Sequence, residues 1–164
     1  MSGWALFTDG SVNTQTGQGF GASLLVHLDE DVQSLDSLRA RINIHEFSEA
    51  KSTAIELQTI LKALAEVPLS CSPITIYTDS QNVLSLPGRR SGFEASDYHS
   101  KKGHLLRHAA RYRAFFQLLD QRGFTLVKVK GHRPAGEKDT IDRFFNLVDK
   151  AARKASRNVS RNLS

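Results

Sequence analysis

Four carboxylates stand where a chain of this size could do chemistry. Asp9 closes the apolar run Trp4 to Thr8, in "LFTDGS". Asp79 closes a second run, Ile74 to Thr78, in "IYTDSQ". Glu56 falls in the first turn of a helical pattern, in "TAIEL", and Asp149 lies at the edge of the apolar stripe of the last helical pattern. Strand ends are where open α/β sheets place their ligands. If the strands ending in Asp9 and Asp79 are parallel neighbours, the two carboxylates lie side by side. Their repulsion then raises a pKa unless a cation sits between them. Hard oxygen ligands select Mg²⁺ or Mn²⁺ for that place.

Each acid also has an ordinary reading. Asp9-Gly10 suits a hairpin turn. Thr53-Ala54-Ile55-Glu56 matches the S/T-x-x-E capping box. Asp79 can be the N-cap of the short helix it precedes. Asp149, four residues after Phe145 and three before Ala152, suits a solvated helix edge. Taken singly, these readings stay open; the argument for a site is that all four acids fall in one consistent topology.

That topology follows from the periodicities. Trp4 to Thr8, Gly19 to Val26 and Arg39 to Phe47 read as three successive strands, the third alternating with Ala40, Ile42 and Ile44 on one face. With no helix between them, they predict an antiparallel meander. Asp9 to Gln18 reads as a turn-rich connection and Asp29 to Asp36 as an exposed acidic excursion. Leu57, Ile60, Leu61 and Leu64 then follow the i, i+3, i+4, i+7 spacing of an amphipathic helix from Ser52 to Val67, ended by Pro68. Ile74 to Thr78 is a fourth strand, followed by a short helix that Pro87-Gly88 stops. Residues 88 to 103 read as irregular and basic, His104 to Arg122 as a helix, Phe124 to Val129 as a fifth strand, and Thr140 to about Ala155 as the last helix. The order βββ-α-β-α-α-β-α predicts an α/β fold with a five-stranded mixed sheet, its first three strands antiparallel, flanked by helices on both faces. Residues 1–155 are read as one domain and 156–164 as a basic, frayed tail.

The chain has 164 residues, 22 Lys and Arg against 17 Asp and Glu, and a net charge of +5. That balance favours polyanionic partners, a statement about association rather than fold. The single cysteine excludes an internal disulfide and any multi-cysteine metal site. No basic segment followed by an apolar core opens the chain, and no apolar run nears the ~20 residues of a membrane span. A cytoplasmic, monomeric protein without a signal peptide or membrane association is the expectation.

"FTDGS", "AIEL" and "YTDSQ", followed by "VKVKGH" and Asp149 on the last helix, resemble ribonuclease H, type 1, over about Trp4 to Ala155. The resemblance implies an endonuclease that hydrolyses the RNA strand of RNA–DNA hybrids and leaves 5′-phosphomonoesters. It implies two Mg²⁺ ions, for which Mn²⁺ can substitute, held by Asp9, Glu56, Asp79 and Asp149. It also implies a role in proton transfer or product release for His132, in a Gly- and Pro-containing loop. Ser11 and Asn13, with Ser52 and Thr53 just before the Glu, are implied as minor-groove contacts. The family often has an Asn pair where Ser52-Thr53 stands, so the reach toward a 2′-hydroxyl is shorter here. The Trp-rich basic protrusion of some members has no counterpart; Arg89, Arg90, Lys101, Lys102, Arg107 and Arg111 are the cations expected to meet the DNA strand. His104, Arg107, His108 and Arg111 are expected to share one helix face. Phe145 replaces the Asn common four residues before the last Asp, which leaves Asp142 as a fallback ligand. A nuclease of the same fold with another nucleic-acid substrate, and a hybrid-binding module without turnover, are the alternatives. Four acids held together argue against the binding module.

Overall fold

The computed structural model describes residues 3–32, 34–48, 52–129 and 139–162, with the backbone alone for 52, 53 and 160–162. Its sheet is organised around β1 (Trp4–Val12). On one side β1 pairs antiparallel with β2 (Gly19–His27), which pairs antiparallel with β3 (Asn43–Phe47). On the other side β1 runs parallel to β4 (Ile74–Thr78), and β4 is parallel to β5 (Thr125–Lys128). The order is β3-β2-β1-β4-β5, the expected mixed sheet with an antiparallel first half.

The alternation of β1 sorts its side chains to two cores. Leu6 joins Ile60 and Leu64 of α2 (Ser52–Glu66), Ile76 of β4, and Phe115 and Phe116 of α5 (Ala109–Arg122). Ala5 and Phe7 join Phe144, Val148 and Ala152 of α6 (Thr140–Asn162). The sheet is therefore covered on both faces, and α2 and α6 bring Glu56 and Asp149 to β1 from opposite sides.

Several boundaries differ from those read in the sequence. β1 does not end at Thr8. Asp9 and Gly10 lie inside the ladder, opposite Ala22 and Gly21, and the turn falls later. That turn is organised by Asn13, whose Oδ1 accepts from Gln15 N at 2.9 Å and Thr16 N at 3.1 Å. The acidic excursion leads into a short helix, α1 (Leu35–Arg39), capped by Ser34, which takes up the start of the expected third strand. β3 is correspondingly shorter and buries His45, while Ile44 is 46% exposed.

Pro87-Gly88 does not stop a helix but opens one. After α3 (Gln81–Leu84), α4 (Leu86–Ala95) begins with the proline in its first turn, where a missing N–H costs nothing. Phe93 and Leu86 bury one face of α4, so tertiary packing supports a segment whose polar composition read as irregular. α5 begins at Ala109, leaving His104 to His108 in the preceding loop, so the basic stripe expected across His104, Arg107, His108 and Arg111 is not a helix face. Gly123 ends α5 at φ 65°, and its N–H donates to Leu119 O. The tail expected to fray is helical: α6 continues to Asn162, and Asn13 Nδ2 donates to Ser156 O at 2.7 Å within a buried contact.

Candidate metal centre

Where β1 passes the end of β4, one carboxylate oxygen each from Asp9, Glu56 and Asp79 lies within 4.8 Å of the others. Parallel pairing in register from Trp4↔Ile74 to Phe7↔Tyr77 brings Asp9, inside β1, level with Asp79 just beyond the end of β4. Glu56 comes from α2, which approaches β1 so closely that a Cβ at Gly10 would collide with Ile55 Cγ2. Gly10 thus serves helix-to-strand approach rather than a turn. Its N–H donates to Glu56 Oε1 at 3.1 Å and so orients the carboxylate.

This arrangement displaces the ordinary readings. Glu56 accepts from Gly10 in the neighbouring strand instead of reaching back to cap its own helix. Ser80, not Asp79, is the N-cap of α3, its Oγ accepting from Val83 N at 3.3 Å. Asp142 closes the first turn of α6: its N–H donates to Asp139 Oδ1 at 2.8 Å and its Oδ2 faces Asp139 N at 3.4 Å. The fallback ligand therefore has a capping role. Asp149 is a half-buried residue in hydrogen-bond contact with Asp9, and its Oδ1 pairs with Arg153 Nε at 3.0 Å.

The electrostatics are those of acids crowded without compensation. Burial, first, and then the charge of Glu56, the hydrogen bond to Asp149 and the charge of Asp79 raise the pKa of Asp9 far above the usual carboxylate range. Burial and the charge of Asp79 also raise Glu56, opposed in part by a hydrogen bond with Asp9 and by the Gly10 N–H. Buried Glu56 Oε2 has no hydrogen-bond donor among the described residues. An orphaned acceptor beside two further carboxylates is a donor set suited to a hard divalent cation. A cleft of about 410 Å³, lined by Ile42, Ile44, Leu147, Lys150, Ala151 and Lys154, lies elsewhere, along α6 and β3. Within the acidic site Asp9 is buried, while Asp79 is exposed to solvent.

The remaining residues singled out in the sequence separate into groups. His132 and the Lys130-Gly131 before it lie outside the described residues, as do the side chains of Ser52 and Thr53. Ser11 is half-buried on the same face of β1 as Asp9. Asn13, expected to meet substrate, is 6% exposed and committed to its turn and to Ser156. Arg90, expected to meet DNA, is held by Asp120 through both Nη atoms at 2.6 Å and by Glu94 at 2.8 Å, tying α4 to α5. Arg89 lies over the Phe93 ring at 4.8 Å and donates to Asn82. Lys101 and Lys102 are exposed in the loop closed by the His99–Leu105 bridge, and Arg107 is exposed just after it. Arg111 lies against His108 and lines a small polar cleft with Glu46, Phe47, Ser48 and Gln58. Sequence reasoning missed Arg153, although its i, i+4 spacing from Asp149 was a legible signal.

A mixed five-stranded sheet carrying acids at the edge of its two central strands defines a class, and the RNase H family model matches residues 2–157. The chain belongs to the RNase H family. Among solved structures, the solution structure of the PFV RNase H domain superposes with a TM-score of 0.73 at 18% identity, over 95% of each chain. The native protease-reverse transcriptase of prototype foamy virus matches with a TM-score of 0.67 at 20% identity. The foamy viral protease-reverse transcriptase in complex with RNA/DNA hybrid matches at 0.65 and 16%. Against those two longer proteins the match covers 95% and 94% of this chain but only 21% and 20% of theirs. No curated protein matches the chain in sequence.

Proposed function

We propose that this chain hydrolyses the RNA strand of RNA–DNA hybrids, with two Mg²⁺ ions held by Asp9, Glu56, Asp79 and Asp149. The observation that supports this most is the convergence of Asp9, Glu56 and Asp79 within 4.8 Å, with Glu56 Oε2 lacking a donor, in a chain of the RNase H family. When bound, such ions activate a water for in-line attack and stabilise the departing 3′ oxygen.

The protein's own residues arrange that chemistry. Asp9 lies among the other acids and would hold such ions together with them. The Gly10 N–H fixes the direction of Glu56, and Arg153 holds Asp149 from the solvent side. Asp79, exposed at the end of β4, leaves the site open to a phosphate. Ser11, Ser52 and Thr53 are the proposed contacts to the minor groove, where 2′-hydroxyls distinguish RNA. Lys101, Lys102, Arg107 and Arg111 are the proposed contacts to the DNA phosphates. His132 is proposed to assist proton transfer or product release.

The test is cleavage of a labelled hybrid beside the matching DNA and RNA duplexes, in Mg²⁺, Mn²⁺ and EDTA. Metal-dependent cleavage of the hybrid's RNA strand alone is expected. Cleavage of another duplex instead indicates a same-fold nuclease with a different substrate, and hybrid binding without cleavage overturns the catalytic reading.

A further inference from the structure

We infer that the exposed face of α6 is a second phosphate-binding surface, formed by Lys150, Lys154 and Arg157, which carries the nucleic-acid backbone onward from the acidic site. This rests on the nucleic-acid reading above and adds a surface to it.

From Lys150 to Asn162 the helix contains five cations, Lys150, Arg153, Lys154, Arg157 and Arg161, and no Asp or Glu. Lys150, Lys154 and Arg157 recur at i, i+4 and i+7, which places them on one side of α6, and all three are exposed. Several arginines of the protein are paired with acids: Arg41 with Glu30 at 2.8 Å, Arg90 with Asp120 at 2.6 Å, Arg113 with Asp97 at 3.2 Å, and on α6 itself Arg153 with Asp149 at 3.0 Å. Among the described residues, no ion pair joins Lys150, Lys154 or Arg157 to an acid.

Two ordinary explanations fall short. A solvated helix face gains from acids interspersed with bases, whereas like charges at i, i+4 disfavour the helix. Cations near a helix C-terminus are favoured by the macrodipole, but only within the last turn. Lys150 and Lys154 lie two turns or more before Asn162. A polyanion is the partner that makes such a face favourable.

Placement points the same way. α6 runs beside β1, with Phe144 against Phe7, Asp149 against Asp9 and Ser156 against Asn13. Along the chain the basic run begins immediately after the acid that α6 contributes to the site, and Lys150 and Lys154 flank the cleft between α6 and β3. The basic face extends about 10 Å along the helix axis. The buried Asn13–Ser156 contact holds this part of the helix in place.

The experiment measures binding of a short hybrid, which spans only the acidic site, and a long one, in EDTA and over a range of salt. The Lys150→Gln/Lys154→Gln/Arg157→Gln variant is compared with wild type and with a control, Lys62→Gln/Arg113→Gln, after thermal denaturation shows each variant folded. The expected result is weaker binding of the long hybrid, a salt slope shallower by roughly one per lost phosphate contact, and little change for the short one. Unchanged binding of the long hybrid overturns the inference. A loss equal for both lengths, or equalled by the control, also overturns it, since net charge alone then explains the effect. If wild type neither cleaves nor binds any hybrid, the proposed function itself fails; wild-type cleavage with unaltered binding by the α6 variant sinks only the basic face.

Discussion

The backbone N–H of Gly10 donates to Glu56 Oε1 at 3.1 Å, so the residue after one acid of the site orients the next. The contact exists because Gly10 has no Cβ: α2 packs Ile55 into the space a side chain would fill. Gly10→Ala should lower stability by about 1–3 kcal/mol, the usual range for overpacking a core, and should weaken Mg²⁺ binding by displacing Glu56. Gly21→Ala meets Thr59 in the same way but has no bond to an acid of the site. It should reduce stability with a smaller effect on Mg²⁺. Urea denaturation and calorimetric Mg²⁺ titration of both variants test this; unaltered Mg²⁺ affinity in folded Gly10→Ala would refute the orienting role.

Asp79→Asn should reduce hybrid cleavage by more than about a hundredfold, since even partners one shell beyond a metal change activity or affinity by 10–100-fold. Asp79 is exposed and helps raise the pKa of both Asp9 and Glu56, so its neutralisation should leave the fold intact and slightly raise the melting temperature without metal. Single-turnover kinetics and differential scanning fluorimetry measure the two effects. Wild-type rates in the variant would remove Asp79 from the site.

Stability should depend on pH in a direction set by the raised Asp9 and Glu56. Their folded-state pKa values lie above their unfolded ones, so the folded state binds more protons across that interval. Stability without metal must then fall as pH rises from the ordinary carboxylate range toward neutrality. Metal binding needs ionised carboxylates, so the stabilisation by Mg²⁺ should grow over the same range. Melting temperatures in EDTA and in Mg²⁺ at several pH values test this, and Asp9→Asn should flatten the EDTA curve. A Mg²⁺ effect independent of pH would contradict the linkage.

Asn13 should behave as a structural residue. Its side chain bonds Gln15 N, Thr16 N and Ser156 O, the last within a buried contact. Asn13→Ala should destabilise by about 1–3 kcal/mol, the cost of stranding a buried polar partner, while hybrid affinity per folded molecule stays near wild type. Denaturation with parallel binding isotherms decides it; a selective loss of hybrid affinity at full stability would return Asn13 to the substrate surface.

The sequence by itself determined the class of fold and the identity of three acids brought together. Period-two runs and the 3.6-residue stripe of α2 are local consequences of burial on one face, so they survive without tertiary information. The position of Asp79 just beyond a strand was legible for the same reason, whereas Asp9, read as a strand end, lies inside a strand that runs on to Val12. Tertiary structure decided what Asp-Gly was for: opposite Gly21 and beneath Ile55, Gly10 remains in the ladder and binds Glu56, a contact 46 residues away in the chain. It decided that Arg90 pairs with Asp120 and that Asn13 anchors Ser156, partners 30 and 143 residues distant. It also made helices of 86–95 and of the tail to Asn162, polar segments with little signal of their own. Local spacing records which face of an element is buried. It does not record what arrives to cover that face, and the partner decides whether a charged side chain is a ligand, a cap or a clamp.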